Sequence, residues 1–135
     1  MRFTLIDRVL EHDPTQLVAI KNVSAAEEYL GDHFPGFPIL PGVFMLEAGV
    51  QACREHLRRH PIDGLDARRA VLASARALKY GAMVPPGSTL RVSVTRRKPA
   101  EPDFKLVAEV TVPGEEPKTA AQGRLVLRAV RPAPA

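Results

Sequence analysis

Two side chains in the middle of this sequence, the imidazole of His33 and the carboxyl of Glu47, are of the types that move protons near neutral pH. Neither persuades alone. Glu47 opens a run of polar residues, Glu47, Gln51, Arg54, Glu55 and Arg58, whose helical spacing suits a face turned to water. His33 stands beside a proline-rich connector, where a lone histidine is more often structural. His12, His56 and His60 lie among charged residues and read as surface. Cys53 is the single cysteine, so it offers neither an internal disulfide nor a cysteine-cluster metal site, and reads as a small buried apolar residue.

The elements that must position these groups fall into a simple order. Pro35, Pro38 and Pro41 force Phe34, Phe37 and Leu40 into extended geometry. Pro41 then suits the first position of a helix, where its missing N–H costs nothing. From Gly42 to Arg59 the chain reads as one helix. Its first three turns are apolar nearly all round (Val43, Phe44, Met45, Leu46, Ala48, Val50, Ala52, Cys53), the mark of a buried helix. Gly49 lowers its propensity by about 1 kcal/mol relative to alanine, which points to close approach by a strand or a ligand.

Alternation of apolar and polar residues marks strands on either side. Leu90, Val92 and Val94 share one face of a strand over residues 89–95; Phe104, Leu106, Ala108, Val110 and Val112 make a second face, and Leu125, Leu127 and Ala129 a third. Residues 2–10, 16–23 and 70–80 read as further strands. Pro85-Pro86-Gly87 and Pro113-Gly114-Glu115-Glu116 carry turn chemistry, and residues 131–135 read as a fraying Pro-rich tail. Two strands, a buried helix and four strands imply an α+β domain over residues 1–130, an antiparallel sheet wrapped around one long helix. Such a sheet leaves edge strands, a liability that pairing in a dimer resolves.

The whole chain sets broad bounds. At 135 residues, 45% apolar and 25% charged, it has the size and composition of one globular domain. No apolar run approaches the roughly 20 residues that span a bilayer, and the N-terminal residues lack a signal-peptide pattern, so the expected location is cytoplasmic, without membrane insertion. The net charge of +4 is spread along the chain, and five Phe plus two Tyr are too few stacking groups to favour nucleic acid. Three basic stretches stand out: Arg68-Arg69, Arg76 with Lys79, and Arg96-Arg97-Lys98. They read as solvated faces or as a docking surface for an acidic partner.

Read as one unit, residues 33–51 change the balance. The stretch His33-Phe34-Pro35-Gly36-Phe37-Pro38-Ile39-Leu40-Pro41-Gly42-Val43, followed by Glu47-Ala48 and Gln51, resembles the signature of the FabZ-type 3-hydroxyacyl-[acyl-carrier-protein] dehydratases of fatty acid synthesis and meets its fixed positions. A weaker resemblance covers most of the chain. It implies a hotdog fold, no cofactor and no metal. It also implies a homodimer, with a trimer of dimers as the larger form. The implied activity removes water from (3R)-hydroxyacyl thioesters on acyl carrier protein to give trans-2-enoyl thioesters. His33 is then the base at C2. Glu47 of the other subunit assists loss of the hydroxyl, directly or through water, and Gln51 orients it. The first amides of a helix have no internal partners and carry partial positive charge, so those of Gly42 and Val43 can hold the thioester carbonyl as it becomes enolate-like. Phe37, Leu40 and Tyr80 are candidates to line the acyl tunnel, though core packing explains each almost as well.

The sequence departs from the family at Asp32, where glycine usually precedes the histidine, at Ser88, where aspartate is common, and in lacking the family's leading segment. Glu rather than Asp at position 47 resembles the branch that dehydrates without isomerising. A hotdog thioesterase and a non-catalytic acyl-thioester or carrier-protein binding module are the alternative readings.

Overall fold

The computed structural model describes residues 4–24 and 40–130. Within them the chain forms β1 (Arg8–His12), β2 (Gln16–Asn22), α1 (Gly42–Arg59), β3 (Ala70–Tyr80), β4 (Thr89–Arg96), β5 (Asp103–Thr111) and β6 (Lys118–Ala129). The strands make one antiparallel sheet in the order β1-β2-β4-β5-β6-β3, which leaves β1 and β3 at its edges. With one long helix against it, this is the expected α+β hotdog architecture.

Register explains how a helix can lie across so many strands. Leu17 pairs with Val94, and Val94 with Leu106; Ala19 pairs with Val92, Val92 with Ala108, and Ala108 with Ala121. These rows are buried. The second is built largely of small side chains, which lets α1 settle onto the sheet. The helix answers with Met45, Ala48, Gly49, Val50, Ala52, Cys53, His56 and Leu57, all buried. At Gly49 a Cβ would lie 2.9 Å from Leu106 Cδ2 and 3.1 Å from Leu125 Cδ1, so a strand approach, not a ligand, accounts for that glycine.

The helix and β3 have their expected bounds; other elements differ for physical reasons. Pro41 is the N-cap rather than the first helical residue, and its carbonyl accepts from Phe44 and Met45 amides at 3.0 and 3.3 Å. The first strand begins at Arg8 among the described residues, not earlier. Leu5 instead leaves the sheet edge, is 1% exposed in the core, and donates its N–H to Gln51 Oε1 at 2.8 Å. The last strand starts at Lys118, well before the alternating Leu125, Leu127 and Ala129. Its pairing shifts register at Ala108/Glu109, and the adjacent Ala120 and Ala121 are both buried, so the alternation of a regular strand is lost there.

His56 corrects the surface reading given to it: it is fully buried. It sits two helical turns beyond Gly49 and one beyond Ala52 and Cys53, on the face that meets the sheet. Its Nε2 lies 2.9 Å from the Asp13 carbonyl, and its Nδ1 lies 3.0 Å from an Arg96 guanidinium nitrogen. Arg96 also donates to the His60 carbonyl at 2.9 Å and lies over the Phe104 ring. This part of the Arg96-Arg97-Lys98 stretch is therefore turned inward, pinning the helix end to the β1–β2 turn and to β4.

Candidate active site

The polar stripe on α1 is not a plain solvated face. Glu47, Gln51 and Arg54 follow one another at i, i+4 and i+7, which stacks them along one side of the helix. Gln51 Nε2 and an Arg54 guanidinium nitrogen both donate to Glu47 Oε1, each at 3.3 Å. The Gln51 amide is oriented from its other end, because its Oε1 accepts the Leu5 N–H. That leaves only the NH2 group to face Glu47. The Glu47 side chain is 40% exposed, so it is neither sealed in the core nor free in water. A cleft of about 430 Å³ opens beside Gln51 and Arg54, lined also by Thr4, Glu55, Arg58, Ala67 and Arg68; Glu47 itself does not line it.

The start of α1 has the second set of groups. No side chain caps this end, and the amides of Gly42 and Val43 have no acceptor among the described residues. The Tyr80 ring lies close to Gly42: a Cβ there would sit 3.0 to 3.2 Å from three ring carbons. Any side chain there would need the half-exposed Tyr80 ring to give way by a few tenths of an ångström. Tyr80 is 51% exposed, and Val43 and Met83 at this end are 62% and 60% exposed. Leu40 differs from Tyr80. It is 2% exposed, packs in the core, and donates its N–H to the Val84 carbonyl at 2.8 Å.

His33, Phe37 and Asp32 lie outside the described residues. Ser88 is buried, and its hydroxyl donates to the Pro85 carbonyl at 2.6 Å. It thereby closes the Pro85-Pro86-Gly87 turn, in which Gly87 takes a φ of +87°. An ionised aspartate, which only accepts, could not make this bond to a carbonyl, so serine closes the turn in its own way.

The basic stretches separate once their partners are seen. Arg68 pairs with Asp66, Arg97 with Asp103 and Lys98 with Glu101, while Arg69 donates to the Val130 carbonyl. Arg76 and Lys79 are exposed on β3 and have no ion pair among the described residues. They stand four and one residues before Tyr80, on the same strand.

Sequence reasoning missed the Arg54 contact to Glu47. The signal was available: a cation seven residues on from a carboxylate falls on the same helical face, two turns away.

Comparison with known proteins identifies the family. The FabA-like domain family model matches residues 1–118. A 3-hydroxyacyl-[acyl-carrier-protein] dehydratase FabZ from Latilactobacillus sakei subsp. sakei (strain 23K) is 40% identical over 117 residues, covering 86% of this chain and 82% of the relative. The FabZ of Thermus thermophilus is 43% identical over 91 residues, 65% of this chain and 61% of that protein. Among solved structures, an uncharacterized protein from Erwinia carotovora subsp. atroseptica shares the fold with a TM-score of 0.65 at 22% identity, over 90% of both chains. The dehydratase heterocomplex ApeI:P from Xenorhabdus doucetiae does so with a TM-score of 0.61 at 19% identity, over 94% of this chain and 98% of that one. With a matching signature segment, a hotdog sheet and helix, and relatives at this level of identity, the chain belongs to the FabA-like family, as a FabZ-type hotdog dehydratase.

Proposed function

We propose that the protein removes water from (3R)-hydroxyacyl thioesters carried on acyl carrier protein, in a site that takes His33 from one subunit and Glu47 from the other. The observation that carries this reading is the half-buried carboxyl of Glu47, held by Gln51 on a helix whose first two amides are unpaired among the described residues. Elimination needs a base at C2, a proton for the departing hydroxyl and a partner for charge on the thioester oxygen. His33 supplies the first and Glu47 the second. The Gly42 and Val43 amides supply the third; their hydrogen bonds strengthen as the oxygen becomes enolate-like, which is what accelerates the step.

The exposed apolar surface at Tyr80, Val43 and Met83 suits the acyl chain and the second subunit. Phe37 remains a candidate for the tunnel beside Tyr80, while Leu40 supports it from the core. Arg76 and Lys79, leading up to Tyr80 without ion-pair partners among the described residues, suit the acidic surface of acyl carrier protein. The pathway is fatty acid synthesis or a related acyl assembly line.

Incubation of the purified protein with 3-hydroxyacyl chains of increasing length on acyl carrier protein, read by mass loss of one water, tests the proposal. Turnover is expected, and His33→Ala and Glu47→Gln should each lower it by about 10²–10⁴-fold. Release of free thiol in place of enoyl product would instead identify a thioesterase. Carrier-protein binding without turnover, unchanged by either substitution, would identify a binding module.

A further inference from the structure

Glu47 has two carboxyl oxygens, and the fold treats them unequally. Gln51 Nε2 and Arg54 both donate to Oε1, at 3.3 Å each, and Oε2 has no partner among the described residues. A carboxyl oxygen that accepts two N–H groups is the one that does not carry the proton, so a proton held by Glu47 sits on Oε2. We propose that Arg54 is a positioning residue for the dehydration: with Gln51 it clamps Oε1 and leaves Oε2 to deliver the proton to the departing hydroxyl. The inference rests on the assignment of Glu47 as the proton donor.

The consequence for the step can be followed atom by atom. His33 takes the C2 proton, and the pair of that C–H bond becomes the C2–C3 double bond. The C3–O bond breaks with its electron pair on oxygen, and the Oε2 proton joins it to release water. Glu47 is left anionic, and the Arg54 guanidinium is already in place beside it. A contact that strengthens as charge appears lowers the barrier without tightening substrate binding. Solvent then returns the proton from His33 to Glu47 before the next turnover. Gln51 alone can fix the direction of the carboxyl, but it brings no charge. A contact between groups this exposed adds little to folding, so stability gives no competing reason for Arg54 to stand there.

The test compares Arg54→Met and Arg54→Lys in the full protein and again in the Glu47→Gln background, with kcat and KM measured on one 3-hydroxyacyl thioester. Arg54→Met should lower kcat roughly tenfold with KM nearly unchanged. Arg54→Lys should recover most of that loss, and both should melt within about 4 °C of the parent. In the Glu47→Gln background Arg54→Met should have no further effect, because it acts through the carboxyl that is gone. If Glu47→Gln abolishes turnover while Arg54→Met is fully active, the role of Arg54 is wrong and the assignment of Glu47 stands. Equal losses in both backgrounds also overturn it, since Arg54 would then act elsewhere. If Glu47→Gln keeps full activity, the assignment of Glu47 and the role of Arg54 fall together.

Discussion

His56 has two ring nitrogens, and the fold engages both. The Asp13 carbonyl can only accept, so Nε2 carries the hydrogen; Arg96 can only donate, so Nδ1 must be bare. This pattern fits the neutral ring alone. Burial accordingly pushes its pKa below the ordinary 6.5, helped by the facing charge of Arg96 and by His60, against a raising contribution from the Asp13 backbone. With the folded value depressed, the unfolded chain binds the extra proton more readily. The contribution of His56 to stability is then complete above pH 6.5 and declines as the pH falls below it. Thermal melting followed between pH 8 and pH 5 should show the midpoint dropping by several degrees. In His56→Gln that drop should shrink, while the midpoint at pH 8 is already lowered by loss of the ring packing. An unchanged slope in the variant would assign the acid sensitivity to other groups.

At the scale of elements, α1 determines how closely the sheet can be approached, and Gly49 is where this shows. Alanine there would gain about 1 kcal/mol of helix propensity but place its Cβ 2.9 to 3.1 Å from the methyls of Leu106 and Leu125. Those are ends of flexible side chains, so the two effects should nearly cancel, leaving Gly49→Ala within about 1 kcal/mol of the parent. Gly49→Val adds branches that cannot be accommodated and should cost about 2 kcal/mol in denaturant unfolding. The regular parts of β4 and β5 could be read directly from periodicity, because one face of each is apolar and the other is not, and α1 from its long apolar run behind Pro41. The start of β6 could not, since its register shift puts Ala120 and Ala121 in the core together. Nor could the true start of β1, because the N–H of Leu5 goes to a side chain 46 residues away. The same division holds in the site. Gln51 and Glu47 follow from helical spacing, whereas the inward turn of His56 and Arg96 depends on contacts between α1, β4 and the β1–β2 turn.

For the whole molecule the decisive question is how many chains make one site. The edge strand β3 is eleven residues long, pairs only with β6 among the described strands, and ends at Tyr80, beside the open amides of α1. An unpaired edge next to an exposed apolar surface is the natural place for a second copy. If each site combines His33 and Glu47 from different subunits, inactive His33→Ala and inactive Glu47→Gln proteins should rescue each other. Unfolding and refolding them together in equal amounts makes half the dimers mixed, each with one intact site, and activity should return to about a quarter of the parent's. No recovery would place both residues of a site on one chain.

The hydrogen bond from the Leu5 amide to Gln51 also has a practical side. It links the Glu47 carboxyl, through one side chain, to the backbone of Leu5. If Glu47 is the proton donor, a purification tag or fluorescent fusion placed ahead of Thr4 should lower turnover more than the same tag placed beyond Val130, measured on one 3-hydroxyacyl thioester.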